Sequence, residues 1–168
     1  MGVYDLMARA KWNDKGLDEF IAAFSKTDDR NMEEIAGTAL YAMAKVAADA
    51  VKANLNALTT EQEEPWKGHR HQHPSQRQKD GLISGFGIAK KQASGGGWNV
   101  RLGFDGYNAV KTKKYPNGQP NAMIARSVES GSEWMIKQPF FRNAINASKA
   151  AAKKAGEDAV IGEFDKIF

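Results

Sequence analysis

The strongest pattern in the chain is a stripe of apolar residues at helical spacing. Met32, Ile35, Ala36, Ala39, Leu40, Met43, Val46, Ala47, Ala50 and Val51 recur at steps of three and four. The stretch is also rich in Ala, which loses least on entering a helix. This predicts a helix from about 29 to 57. So many small side chains on one stripe let another element come close, either a sheet or a neighbouring subunit. Ahead of it, Leu17, Phe20, Ile21 and Phe24 share one face of a short amphipathic helix, with Asn13 and Asp14 placed as caps and a polar break after it.

From Thr59 to Asp80 the chain turns polar, with Trp66 as its one large apolar anchor, so a long loop is expected at about 59–80. Two strands follow. The first is expected from about Leu82 to Gln92, and a turn at Ser94-Gly95-Gly96-Gly97 leads into the second. There Trp98, Val100, Leu102 and Phe104 alternate with Asn99, Arg101, Gly103 and Asp105, the pattern of a hairpin with one buried face. Residues 105 to 120 read as a second loop. Asn121 to Ser130 reads as a short helix, with Ile124 and Val128 four apart and Gly131 placed to end it.

A brief extended piece, Trp134 to Lys137, then leads to Pro139, which suits the first turn of a helix. Phe141, Ala144, Ile145, Ser148 and Ala152 continue that helix, and Val160, Ile161, Phe164, Ile167 and Phe168 form a second stripe after Gly156. The C-terminal quarter is therefore expected to be one long or kinked helix. Together these elements predict an α+β fold, a small antiparallel β-sheet packed with a long helix in the N-terminal half and a long C-terminal helix. With 168 residues the chain is read as a single domain, 1–168.

Composition narrows the function classes. Hydrophobic residues make up 42% and charged residues 26%, which suits a folded globular chain. The absence of Cys excludes disulfide scaffolds, thiolate metal sites and thiol nucleophiles. The start lacks the order of a secretory signal and no apolar run is long enough to span a bilayer, so use inside the cell of synthesis, with no membrane partner, is expected. The net charge of +4 is uneven. Residues 65 to 114 carry ten Lys and Arg against Asp80 and Asp105, which makes that stretch +8 and the remainder −4. A local field of this sign favours a polyanion or an acidic protein surface, with Lys67, Arg70, Lys111, Lys113 and Lys114 as the candidate contacts. It equally suits a solvated, flexible basic loop.

The histidines of the polar stretch, His69, His71 and His73, alternate, so an extended strand would present all three on one side. Gly68 and Pro74 flank them and no carboxylate in the run would orient a ligand, so a solvated loop is expected and no metal site is assigned. Neither Gly85-Phe86-Gly87 nor Gly95-Gly96-Gly97 matches a dinucleotide fingerprint or a phosphate loop. Glu129 and Glu133 lie four apart, a common spacing on helix ends, and no nucleophile elbow or His-Glu-x-x-His helix occurs. No catalytic residue and no cofactor is therefore assigned, and the chain is read as a non-enzyme.

One stretch has an order that periodicity does not require: Val128-Glu129-Ser130-Gly131-Ser132, then Gln138-Pro139-Phe140-Phe141-Arg142-Asn143-Ala144. Read physically, Gly131 ends one helix, Pro139 opens another, and Phe140 and Phe141 lock the junction into the core. Glu129 and Arg142 are placed to pair. The residues assigned to this corner, as architecture, are Glu129, Gly131, Pro139, Phe140 and Arg142.

This run resembles the signature of the tail-completion, or head-to-tail joining, proteins of long-tailed double-stranded DNA bacteriophages and prophages. Ser132 stands where that family usually has Thr, and Asn143 where it usually has Pro. Asp80-Gly81-Leu82, the run Val100 to Asn108, Pro120-Asn121 with Ala125-Arg126, and Gly16-Leu17-Asp18-Glu19-Phe20 are similar to other blocks of the family, in the same order. The likeness covers residues 16 to 168, and the basic insert at 65–79 is the largest departure.

The resemblance implies a virion component without enzymatic activity. It would assemble as a ring of identical subunits, commonly sixfold, at the top of the tail tube and dock to the neck of the DNA-filled head. Its partners would be further copies of itself, a tail tube or tail terminator protein, and a head-completion or neck protein, with DNA passing close to the lumen. Its location would be the virion neck, and the host cytoplasm during assembly. Trp66, Trp134, Phe168 and the Ala-rich helix face are candidates for subunit contacts. The alternatives are a tail terminator or other neck component, and a basic nucleic-acid-binding module with Trp66, Trp98 or Tyr107 stacking on bases.

Overall fold

In the computed structural model the described residues are 29–61 and 72–167. Two helices of 28 residues each, α1 (Asp29–Asn56) and α4 (Phe140–Ile167), pack along one another. They run antiparallel. Asn54, near the end of α1, donates from Nδ2 to the Phe140 carbonyl at the start of α4 at 2.9 Å. At the opposite end Ile35 and Ala39 of α1 cluster with Val160 and Phe164 of α4. The helix expected over 29–57 is thus present almost to the residue, and the C-terminal quarter is one helix that continues through Gly156.

The Ala-rich stripe of α1 is used inside the chain. Ala39, Ala44, Ala47 and Ala48 are buried in the clusters with α4 and the main core, and Ala36 is buried as well, so this face is not left for a neighbouring subunit. The end of α1 is closed by a distant cation. Lys79 donates from Nζ to the carbonyls of Asn56 and Leu58 at 2.7 and 3.0 Å, filling acceptors that a helix end leaves without partners.

The expected loop over 59–80 and the expected strand from Leu82 are both corrected by a helix, α2 (Gln76–Gly85). Its start is a capping box: the Ser75 hydroxyl accepts from the Gln78 amide at 3.3 Å, and the Gln78 side chain accepts from the Ser75 amide at 2.9 Å. Leu82 is fully buried, and Gly81 and Gly85 form one face of the helix at a four-residue step. Both glycines are needed for close approach. A Cβ at Gly81 would lie 2.4 Å from Asn108 Cβ, and one at Gly85 would lie 2.3 Å from the Asp105 carbonyl oxygen.

The hairpin is present but divided into four short strands, β1 (Phe86–Ile88), β2 (Gln92–Ser94), β3 (Gly97–Asn99) and β4 (Leu102–Phe104). β1 pairs antiparallel with β4, and β2 with β3. Ile88 faces Leu102 while Gln92 faces Asn99, so residues 89–91 stand opposite only 100 and 101. That is a one-residue bulge on the first strand. One face therefore runs evenly through the half-buried Trp98, Val100 and Phe104 and the buried Leu102, whereas across from it that face passes from the buried Phe86 to the exposed Ile88 and Ala93, so burial is full only at the Phe86–Leu102 end. Gly95 (φ 59°) and Gly96 (φ 84°) supply the two left-handed positions of the tight turn at the tip. Lys91 fastens the bulge to α1. Its amide donates to the Tyr41 hydroxyl at 2.8 Å, and its Nζ reaches the Glu33 carboxylate at 2.9 Å.

α3 (Asn121–Ser130) follows Pro120 as expected and buries Asn121, Ile124, Ala125 and Val128. Ile124, Ala125 and Val128 join Val51, Leu55, Leu82, Phe86, Leu102, Phe140 and Phe141 in the main core. The stretch from Trp134 to Lys137 is not extended throughout. Ser132 and Met135 exchange backbone hydrogen bonds at 2.9 and 3.3 Å, which closes a tight turn around Trp134. The predicted N-terminal helix with Leu17, Phe20, Ile21 and Phe24, together with Trp66 and Phe168, lies outside the described residues. Among the described residues no helix is long and apolar enough to cross a membrane.

Candidate functional site

The corner between α3 and α4 brings together the residues singled out from the sequence. α3 ends at Ser130 and Gly131 takes φ +76°, a conformation that disfavours side chains. After the Ser132–Met135 turn, the Gln138 amide returns to donate to the Val128 carbonyl at 2.7 Å. Pro139 stands immediately before α4, where its missing N–H leaves nothing unsatisfied.

The Glu129 carboxylate then sits on the first turn of α4. Oε2 accepts from the Phe141 amide at 2.8 Å and Oε1 from the Arg142 amide at 3.0 Å. An anion there satisfies two exposed amides and complements the positive end of the helix dipole. Glu129 and Arg142 do meet, but through the Arg142 backbone. Among the described residues no ion pair joins Glu129 to the guanidinium, and Arg142 is exposed. The expected side-chain pair is therefore replaced by a helix cap.

Phe140 and Phe141 anchor the corner from below. Both are buried, and they stack with Phe86 and Phe104 of the hairpin at ring separations of 5.9 to 6.4 Å. Gln138, named in the motif but given no role from sequence, links the corner to the end of α1. Its Oε1 accepts from the Thr59 amide at 3.0 Å, and its Nε2 lies 3.3 Å from both the Thr59 carbonyl and His73 Nδ1. No sequence signal marks this role, because it depends on three segments distant in the chain.

The basic residues divide into those used internally and those left outside. Lys79 and Lys91 are engaged in the α1 contacts described above, and Lys91 also lies 5.5 Å from the Trp98 ring centre. Lys67 and Arg70, with His69 and His71, lie outside the described residues. Lys111, Lys113 and Lys114 are exposed on the loop between β4 and α3.

That loop is a closed, hydrogen-bonded structure. Tyr107 and Pro120 form an antiparallel bridge, the Asn108 amide donates to Gln119 O at 2.9 Å, and the Gln119 amide donates to Val110 O at 3.1 Å. Asn108 is buried, and its Oδ1 accepts from the Val110 amide at 2.9 Å. Asn121 is also buried and donates from Nδ2 to the Asp105 carbonyl at 2.8 Å. Gly118 takes φ +112° where a Cβ would stand 2.1 Å from the Asn108 carbonyl oxygen, so only glycine fits. At the tip Thr112 and Tyr115 exchange backbone hydrogen bonds at 3.1 Å in both directions. The flexible basic loop admitted by the sequence is, over 105–120, a braced one.

No protein-family model, no curated protein and no solved structure matches the chain. The site is therefore read from its own chemistry: a helix junction, an aromatic anchor and an exposed cationic turn. Among the described residues no three His, Asp or Glu side chains converge as a metal site would require.

Proposed function

We propose that this chain is a non-enzymatic assembly protein of a long-tailed double-stranded DNA phage or prophage, forming a ring at the head-proximal end of the tail and joining the tail to the filled head. The observation that supports this reading is the corner itself. The two halves of the phage-like run, Val128 to Ser132 and Gln138 to Ala144, are held against each other by the Glu129 cap and the Gln138–Val128 hydrogen bond. The resemblance thus falls on residues that act as one structural unit, and their roles are architectural.

A closed ring needs two different surfaces of one subunit to meet. With the Ala-rich stripe consumed by α4, exposed apolar side chains at three other places are the candidates for those contacts. They are Tyr107 (67% exposed), Trp134 (57%) and Ile161 (55%). The partners in this reading are further copies of the chain, a tail tube or terminator protein, and a head-completion protein.

Deletion of the gene from its phage or prophage, induction, and negative-stain electron microscopy of the lysate test the proposal. Filled heads beside separate, normal-length tails are the expected result. Tails of abnormal length would assign a terminator role instead, and intact infectious virions would overturn the joining role.

A further inference from the structure

We infer that the braced loop between β4 and α3 is a contact for the phosphate backbone of duplex DNA, made by Lys111, Lys113 and Lys114 without reading base sequence. The inference rests on the joining role, which would set the chain beside packaged DNA. Three observations carry it.

The loop has its shape already in the free chain, braced within itself and by Gln78 and Asn121 of the neighbouring helices. Its stem is hydrogen-bonded from Tyr107 and Pro120 up to the Thr112–Tyr115 turn, and its base is seated on the buried Asn108 and on Gly118. Little further ordering of backbone is needed on binding, which removes a cost that flexible basic segments bear. Its charge is also uncompensated: Lys111, Lys113 and Lys114 are exposed, and no ion pair to any of them occurs among the described residues. The other lysines of the basic stretch whose partners are known, Lys79 and Lys91, are by contrast bonded into the fold.

The third observation is the chemistry of the tip. Lys114 lies 5.5 Å from the centre of the half-buried Tyr115 ring, which steadies its side chain, and at the tip, residues 111–117, no large exposed apolar side chain accompanies the three cations; the exposed Tyr107 lies at the foot of the loop. Protein interfaces disfavour lysine and favour aromatic anchors at their centres. Phosphate contacts take lysine readily, as a point charge that displaces counterions, and carry no sequence information. The geometry therefore favours a nucleic-acid backbone over an acidic protein surface.

The test uses the full chain and a fluorescently labelled duplex of random sequence, with affinity measured by anisotropy across a salt series. Neutralising three phosphate contacts lowers the slope of log affinity against log salt by about 2.7, at about 0.9 per contact. The triple variant K111Q/K113Q/K114Q should show that loss, with binding at least about tenfold weaker at low salt. The control K149Q/K153Q/K154Q removes the same charge from exposed positions on α4 and should retain both affinity and slope. Circular dichroism of both variants should match the parent chain.

Equal losses in the two triple variants would overturn the site, since net charge alone would then account for binding. Unchanged binding in K111Q/K113Q/K114Q would overturn it as well. Polyglutamate displacing the duplex at equal charge concentration would overturn the choice of DNA in favour of an acidic protein surface. Intact virions in the deletion lysate would remove the joining role and leave the binding result standing, so the two failures are distinguishable.

Discussion

Gly156 of α4 lies directly against Met43 of α1: a Cβ on the glycine would stand 2.6 Å from Met43 Cγ and 2.8 Å from its Sδ. A glycine inside a helix costs about 1 kcal/mol relative to Ala. Its place in the middle of α4 is explained by this contact. Gly156→Val should therefore destabilise the chain by about 3 kcal/mol through overpacking, read as a lower urea midpoint. Combining it with Met43→Ala should cost less than the two single changes added together.

The Glu129 cap predicts a graded series. Glu129→Ala removes both acceptors from the first turn of α4 and should cost about 2 kcal/mol, while Glu129→Gln keeps one acceptor without the charge and should cost about 1 kcal/mol. Urea unfolding repeated in 1 M salt should narrow the difference between Glu129→Gln and the parent, because salt screens the charge–dipole component. An unchanged difference would assign the whole effect to hydrogen-bond geometry.

Asn121, itself buried, joins α3 to the loop by a single side-chain bond to the Asp105 carbonyl. Asn121→Ala leaves that carbonyl without its donor and should cost about 2 kcal/mol. Hydrogen exchange should report the change locally, with the Asn108 and Gln119 amides losing protection before those of α1. Asn121→Asp should be worse than Asn121→Ala, since a carboxylate presents only acceptors to the carbonyl.

Gly118 offers an independent probe of the same loop. Gly118→Ala forces a side chain into φ +112° and against Asn108 O, at a cost of about 2 kcal/mol. The expected sign is early exchange of residues 108–119 with the α1–α4 pair intact. Simultaneous loss of protection throughout the molecule would mean that the loop and core unfold as one unit.

The two long helices were legible because their stripes face large, continuous partners: Ile35 and Ala39 meet Val160 and Phe164 at one end, and Asn54 meets Phe140 at the other. α2 was obscured for a definite reason. Its glycines, Gly81 and Gly85, weaken the helical signal because Asn108 and Asp105 require the space, and only Leu82 is a fully buried apolar side chain there. The Ser75–Gln78 capping box was the one local signal for it. The first strand resisted reading because a bulge at 89–91 interrupts its alternation, while the uninterrupted face from Trp98 to Phe104 was plain.

At the corner, Gly131 and Pro139 carried their meaning locally, as terminator and initiator. Glu129 did not, because a carboxylate and an arginine brought to one corner suggest a salt bridge and the backbone amides it actually meets have no side-chain signature. Gln138 and Lys79 were illegible for the same reason, their partners being main-chain atoms of α1 and the residues that follow it.

Glu61 and Gln72 meet at the foot of the basic insert. The Gln72 amide donates to the Glu61 carboxylate at 3.0 Å, and the Glu61 amide donates to the Pro74 carbonyl at 3.0 Å. Residues 61 and 72, with ten residues of chain between them, are thus fastened at about one point. Two ends fastened in this way suit grafting: an epitope or fluorophore exchanged for residues 62–71 would be joined to the chain through a closed collar. It would give the chain a handle that leaves the described elements untouched, and with which the proposed assembly role can be followed.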